Sequence, residues 1–247
     1  MKIGELVYST VKIVAGPHDG TGFIMDFSLK HDEVELVIVT NKHVIEESDN
    51  ITIGLTIQKP NRHSAIKKLT IANYKEKYIE SDDYDLCAIS LNATLEEHQT
   101  DIKDIVIPHI TINDICDNEE LLEFDAICDV IVVGYPNGVI DEDNNLPIVR
   151  KGINSTPLYS KYQSRNLFVV DAGVFEGNSG SPVYIKNVDG LFRLVGVVQE
   201  WDRHYTVAGF YDNGVKKDVY CLIPSGLGIA IQAQEVLKMW GKAKEKW

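Results

Sequence analysis

Short apolar runs rich in β-branched residues recur along the chain, at residues 7–14, 34–40, 51–57, 86–91, 126–134, 167–170, 182–185, 191–199 and 219–223. Turn signals stand between them: Asp19-Gly20, Asp49-Asn50, Asn137-Gly138, Asp189-Gly190 and Asn213-Gly214. Many short strands punctuated in this way predict an all-β sandwich or barrel. Helical spacing is scarce until the end, where residues 231–247 carry Val236, Leu237 and Trp240 at positions that read as a helix. Residues 96–124 break the pattern, being acidic, interrupted by Pro108 and without strong alternation. They are expected to join two halves of similar size, residues 1–110 and 126–247, through a linker at 111–125.

Composition narrows the classes. A chain of 247 residues with 44% apolar and 25% charged residues can bury a full core without covalent staples. A formal charge of -13 repels a phosphate backbone, so a nucleic-acid partner is not expected. The one lysine-rich stretch, Lys238 to Lys246, reads as the last turns of the terminal helix. The four cysteines, Cys87, Cys116, Cys128 and Cys221, show neither C-x-x-C spacing nor a Cys/His cluster, so no metal site is expected. Cys87 lies in an apolar run and reads as a buried free thiol. No stretch has the length of a membrane span, and Glu5 interrupts the first residues, so the expectation is a cytoplasmic protein without a membrane partner. Sequons at Asn50, Asn92 and Asn154 carry no meaning without secretion.

The strongest chemical signal is Gly177-Asn178-Ser179-Gly180-Ser181-Pro182. A nucleophilic hydroxyl must be presented on a tight turn, with backbone N–H groups aimed where an oxyanion develops. Glycines at 177 and 180 give the backbone that freedom. Such a serine needs a base. His43 stands just past the apolar strand ending Leu36-Val37-Ile38-Val39-Thr40, a setting that His18, His31, His63, His98, His109 and His204 lack. A third group must orient the imidazole. Asp85 abuts the apolar run Leu86-Cys87-Ala88-Ile89 directly, and is preferred for that reason to its neighbours Asp82 and Asp83. The order His43, Asp85, Ser179 puts base and orienter in the first half and nucleophile in the second, in a cleft between them.

With these residues in view, the chain resembles the trypsin/chymotrypsin superfamily. Thr40-Asn41-Lys42-His43-Val44, Asp85-Leu86-Cys87-Ala88-Ile89 and residues 177–182 are similar to that family's histidine, aspartate and G-[DN]-S-G-[GS]-P motifs. Gly20-Thr21-Gly22-Phe23, Val133-Gly134-Tyr135-Pro136-Asn137-Gly138, Asp171-Ala172 and Gly226-Leu227-Gly228-Ile229-Ala230-Ile231 extend the resemblance toward the bacterial, disulfide-free branch. That branch includes the HtrA/DegP-like proteases, and the serine motif is similar to that of the glutamyl endopeptidases. The resemblance implies two six-stranded antiparallel β-barrels with a C-terminal α-helix. It further implies a serine endopeptidase acting on protein or peptide substrates, with His43, Asp85 and Ser179 catalytic, an oxyanion hole at Gly177, Asn178 and Ser179, and no cofactor. No PDZ domain is expected after the barrels.

The same resemblance places the base of the specificity pocket at Gly173 and its far wall at Val198, Gln199, Glu200 and Trp201. Gly173 removes the trypsin route to Arg/Lys preference. Glu200 or Asp202 would recruit a basic side chain, whereas Trp201 would narrow the pocket for a small apolar one. Residues 202–217 read either as a gate beside the pocket or as a solvated hairpin. Asn178 replaces the aspartate that pairs with a new N-terminus in animal trypsins, so zymogen activation by that ion pair is not expected. Two other roles fit the sequence: a latent cytosolic effector of bacterial defence or stress held for an activating protein partner, and a protease fold kept as a silent binding module.

Overall fold

The computed structural model describes residues 1–28, 34–58, 64–98, 107–141 and 143–247. His31 and His63 lie outside the described residues, as do the side chains of residues 203 and 204.

The first half is one curled antiparallel sheet. Its strands are β1 (Thr10–Ala15), β2 (His18–Asp26), β3 (Leu36–Thr40), β4 (Asn50–Gln58), β5 (Ser64–Ala72), β6 (Tyr78–Glu80) and β7 (Cys87–Ser90), in the order β5-β4-β1-β2-β3-β7-β6. A short β8 (Ile110–Thr111) adds to the end of β2 in parallel. The second half is a closed six-stranded barrel of β9 (Asp129–Gly134), β10 (Ile148–Asn154), β11 (Leu167–Asp171), β12 (Pro182–Lys186), β13 (Phe192–Asp212) and β14 (Val215–Gln232), ordered β10-β11-β14-β13-β12-β9. This is the expected double-barrel class with its terminal helix. Among the described residues the first barrel is a half-closed sheet of eight strands, where six in a closed ring were expected.

Among the described residues five α-helices accompany the strands: α1 (Ile3–Ser9), α2 (Lys42–Ile45), α3 (Asn92–Glu97), α4 (Asn118–Leu121) and α5 (Gln234–Lys246). The apolar run at residues 7–14, read as a strand, is divided between α1 and β1. The Ser9 and Thr10 hydroxyls both donate to the Leu6 carbonyl, which ends the helix and turns the chain into β1. The segment expected to link the halves carries the end of β8 and α4, the latter capped by Asp117 accepting from the Glu119 and Glu120 N–H groups.

Val11, Ile13, Ile38, Ile53 and Leu69 fill the inside of the first sheet, and Val130, Phe168, Val170, Val183 and Val198 fill the barrel. A third cluster spans the seam. There Phe23, Val39, Leu86 and Ala88 of the first half meet Tyr184, Val197 and Ile231 of the barrel and Val236 and Met239 of α5. The apolar face of α5 therefore helps to close the two halves on each other. Among the described residues no helix is long and apolar enough to cross a membrane.

Candidate active site

β3 and β7 pair antiparallel with Thr40 opposite Cys87, so the residues just beyond that end of the pair come together. Asn41, fully buried, donates from Nδ2 to the Asp85 carbonyl at 2.6 Å and locks the corner. His43, in α2, donates its backbone N–H to Asp85 Oδ1 at 3.1 Å, and its Nδ1 is in contact with Asp85 Oδ2. Of the competing acids, the Asp82 carboxylate pairs with Lys242, and at Asp83 the backbone carbonyl accepts from Arg165 Nη2. Other histidines serve local contacts, His18 with Glu47 and His109 with the Ile107 carbonyl.

The electrostatics of the pair follow from this contact. The hydrogen bond to Asp85 holds the His43 imidazole above its ordinary value of 6.5, against partial burial that works the other way, with the Asp85, Glu46 and Glu200 charges adding to the rise. Burial pulls the Asp85 carboxyl up, but the hydrogen bonds and charge of His43 and the backbone N–H groups of His43 and Lys42 outweigh it and leave the carboxyl below 3.8.

Ser179 sits on a loop held by the other half of the molecule. Thr21, fully buried in β2, donates its N–H to the Ser179 carbonyl at 2.9 Å and its hydroxyl to the Gly177 carbonyl at 2.8 Å. The same hydroxyl accepts from the Tyr135 N–H at 3.1 Å, and the Thr21 carbonyl accepts from the Thr40 hydroxyl at 2.7 Å. Gly180 passes so close to this strand, at φ +85°, that a Cβ would stand 1.9 Å from the Thr21 carbonyl oxygen. Thr21 carried no chemical signal of its own in the sequence. Its place in the motif Gly20-Thr21-Gly22-Phe23 was the one available pointer.

Two peptide planes decide the orientation of the expected oxyanion donors. The Glu176 carbonyl accepts from the Asn137 N–H at 2.6 Å, and the Asn178 carbonyl accepts from the Ser181 N–H at 2.8 Å. In a trans peptide the N–H points opposite its carbonyl. Gly177 N–H and Ser179 N–H therefore turn away from those donors, and neither donates to a backbone group among the described residues. Asn178 N–H does not join them, because it donates to the Phe175 carbonyl at 3.1 Å. The Asn178 side chain is buried, accepting from the Phe175 N–H and donating to Ser181 Oγ, so the loop is braced by an amide in place of an ion pair.

His43, Asp85 and Ser179 line one cleft of about 300 Å3 together with Gln199, Glu200 and Trp201. Val198, expected in the wall, instead splints the serine loop, its N–H donating to the Ser181 carbonyl and its carbonyl accepting from the Gly180 N–H, each at 2.8 Å. Gly173, expected at the pocket base, does not line this cleft. A Cβ there would stand 2.5 Å from Arg150 Nη1, so the guanidinium occupies the space a side chain would take. Arg150 lies over the Phe175 ring at 5.0 Å, and its Nε is buried without a hydrogen-bond partner among the described residues. Among those residues no group of three or more His, Cys, Asp or Glu forms a metal-ligating cluster.

A family model described as a trypsin-like peptidase domain matches residues 20–197. No curated protein matches the chain. Among solved structures, a crystal structure of Rv3671c protease in an inactive form is similar at a TM-score of 0.52 and 18% identity, over 98% of this chain and 91% of that one. The MamO protease domain from Magnetospirillum magneticum, in its apo form, is similar at a TM-score of 0.51 and 15% identity, over 95% of this chain and 96% of that one. At such identities the likeness is one of fold.

Proposed function

The chain belongs to the trypsin-like peptidase domain family, and we propose on that footing that it is a serine endopeptidase working through His43, Asp85 and Ser179. The observation that carries the reading is the shared cleft. A histidine whose Nδ1 is occupied by a carboxylate faces the same space as a serine whose loop leaves two amides unspent.

The Ser179 hydroxyl adds to the substrate carbonyl as the His43 Nε2 takes its proton. Asp85 keeps Nδ1 protonated and stabilises the imidazolium that forms. Gly177 and Ser179 N–H groups take the oxyanion, whose stabilisation is the largest single contribution to such a reaction. His43 then gives its proton to the leaving amine, water adds to the acyl-enzyme with His43 again as base, and Ser179 is released. No hydrogen bond joins the His43 ring to the Ser179 hydroxyl in the free protein, as is common before substrate draws such groups together.

The braced loop favours an enzyme competent as it stands over one awaiting an activating partner. A latent loop would turn the Glu176 carbonyl inward, whereas Asn137 holds it outward.

The test is labelling by a fluorophosphonate with mapping of the modified residue, on wild type beside His43→Ala and Ser179→Ala. The expected result is modification of Ser179 in wild type alone. A folded wild type that takes no label refutes the reading.

A further inference from the structure

β12 covers β13 only from Phe192 to Val197, and β11 covers β14 only from Leu227 to Ile231. Beyond those points β13 and β14 continue as a two-stranded arm, paired from Arg203–Pro224 out to Asp212–Val215 and closed by Asn213-Gly214 with φ of 51° and 78°. Residues 205–223 are exposed apart from Asp212, which is half-buried. Both faces of the arm are apolar. Tyr205, Val207, Tyr211 and Tyr220 share one face, with the tyrosines 71, 76 and 70% exposed, and Phe210 and Val219 lie on the other. A bare two-stranded ribbon is marginal in water, and apolar surface on this scale marks a binding site.

We propose that the arm is a docking rail for the polypeptide substrate, an extended segment of which adds as a strand to the free outer edge of β13. The proposal rests on the endopeptidase reading and names the substrate class of the same site. What selects this occupant is continuity. Gln199, Glu200 and Trp201 line the cleft with His43 and Ser179, and the arm is the same strand carried onward through register shifts at Gln199 and Asp202. A chain laid along that edge is delivered to Ser179.

Charge agrees with a substrate of open sequence. Between Tyr205 and Ile223 the charged residues are Asp212, Lys216, Lys217 and Asp218, and they pair internally, Lys217 with Asp212 and Lys216 with Asp218. The arm is thus neutral on a protein of net charge -13, while a second copy would bring a second body of the same charge. Edge addition reads backbone through hydrogen bonds and side chains only at alternate positions. From Arg203 to Asp212 the rail is about 33 Å long, matching about ten extended residues. The substrate class is therefore unfolded chain or long loops with apolar residues spaced by two.

The test uses fluorescein-labelled, reduced and carbamidomethylated lysozyme, an unfolded chain, as probe. Binding to Ser179→Ala protein is measured by anisotropy, with and without the added changes Tyr205→Ser, Val207→Ser and Tyr220→Ser. Fluorophosphonate labelling of the same triple variant with Ser179 intact reports the cleft. The expected result is binding weakened at least about tenfold and labelling unchanged. Because the triple change leaves the arm backbone in place, a second variant joins Arg203 to Pro224 through Asn-Gly and is expected to lose binding to the same extent. Equal binding by all variants overturns the proposal, and so does a wild type that sediments as a dimer while the arm variants sediment as monomers. Arm-dependent binding by a wild type that takes no fluorophosphonate would instead keep the rail and sink the endopeptidase reading.

Discussion

Thr21→Val tests the bracing of the serine loop most directly. Valine matches threonine in shape, so the substitution opens no cavity and removes one buried hydroxyl. Two hydrogen bonds go with it, the one to the Gly177 carbonyl and the one from the Tyr135 N–H. Each leaves a buried backbone group unpaired, at roughly 1–3 kcal/mol apiece, so the loss of stability is about 2–6 kcal/mol. For a chain of this size about 1 kcal/mol moves the melting temperature by roughly 2–4 °C, and a fall of at least about 4 °C is expected in a thermal melt. The second effect is local. The Gly177 carbonyl belongs to the Gly177–Asn178 peptide, which lies between the planes carrying the Gly177 and Ser179 N–H groups, so its release loosens the hinge that keeps the two donors convergent, and loss of one oxyanion donor costs about 10²–10³ in rate. Fluorophosphonate labelling of Ser179 should slow by about 10² in Thr21→Val and stay near wild type in Thr21→Ser, which keeps the hydroxyl. A valine variant that labels at the wild-type rate, or valine and serine variants that behave alike, would refute the positioning role.

Two further outcomes follow from the site. Labelling should rise with pH through a midpoint above 6.5, because the base must be neutral and its partner holds it protonated. Asp85→Asn should lower that midpoint and cut the rate by about 10⁴-fold. The stability of the pair runs on the same signs. The raised His43 contributes below 6.5 and loses its contribution as pH climbs through its folded value, while the depressed Asp85 contributes above 3.8 and loses it as pH falls through its own. On substrate preference, Arg150 is half-buried at Gly173 without a carboxylate partner among the described residues, whereas Glu200 is exposed to screening solvent. Peptides with Glu or Asp before the cut should outpace those with Lys or Arg by about tenfold or more in a positional library, and the reverse order would take Arg150 out of the substrate's path.

The residues brought into the cleft were readable where chemistry demands a rare local setting. A serine between two glycines, a histidine past a buried strand and an aspartate abutting another are each unusual, and their order added weight. Thr21 was not readable in this way, because a threonine in an apolar strand is ordinary and its four hydrogen bonds reach residues far along the chain. The strands β5 and β10 escaped notice for a related reason. Lys67 and Lys68, and Arg150 and Lys151, stand side by side, so each pair puts a charge on both faces and breaks the alternation that marks a strand. The arm shows the converse limit. Tyr205, Val207 and Tyr211 recur at even spacing as they would in any hairpin, and periodicity does not say whether a body lies beneath them.

The bracing of Ser179 from across the seam also bears on how such a molecule can be recombined. The half that carries the nucleophile contains only some of the groups that shape it, Asn137 and Val198 among them. The rest of the shape is written in Thr21 and Thr40, and they reach it only when both halves are docked. Grafting this barrel onto another protein's first half would transplant the serine and leave behind its mould. A working chimera would have to carry residues 20–23 and 40–43 along with the barrel, so the smallest transferable catalytic unit is discontinuous in sequence.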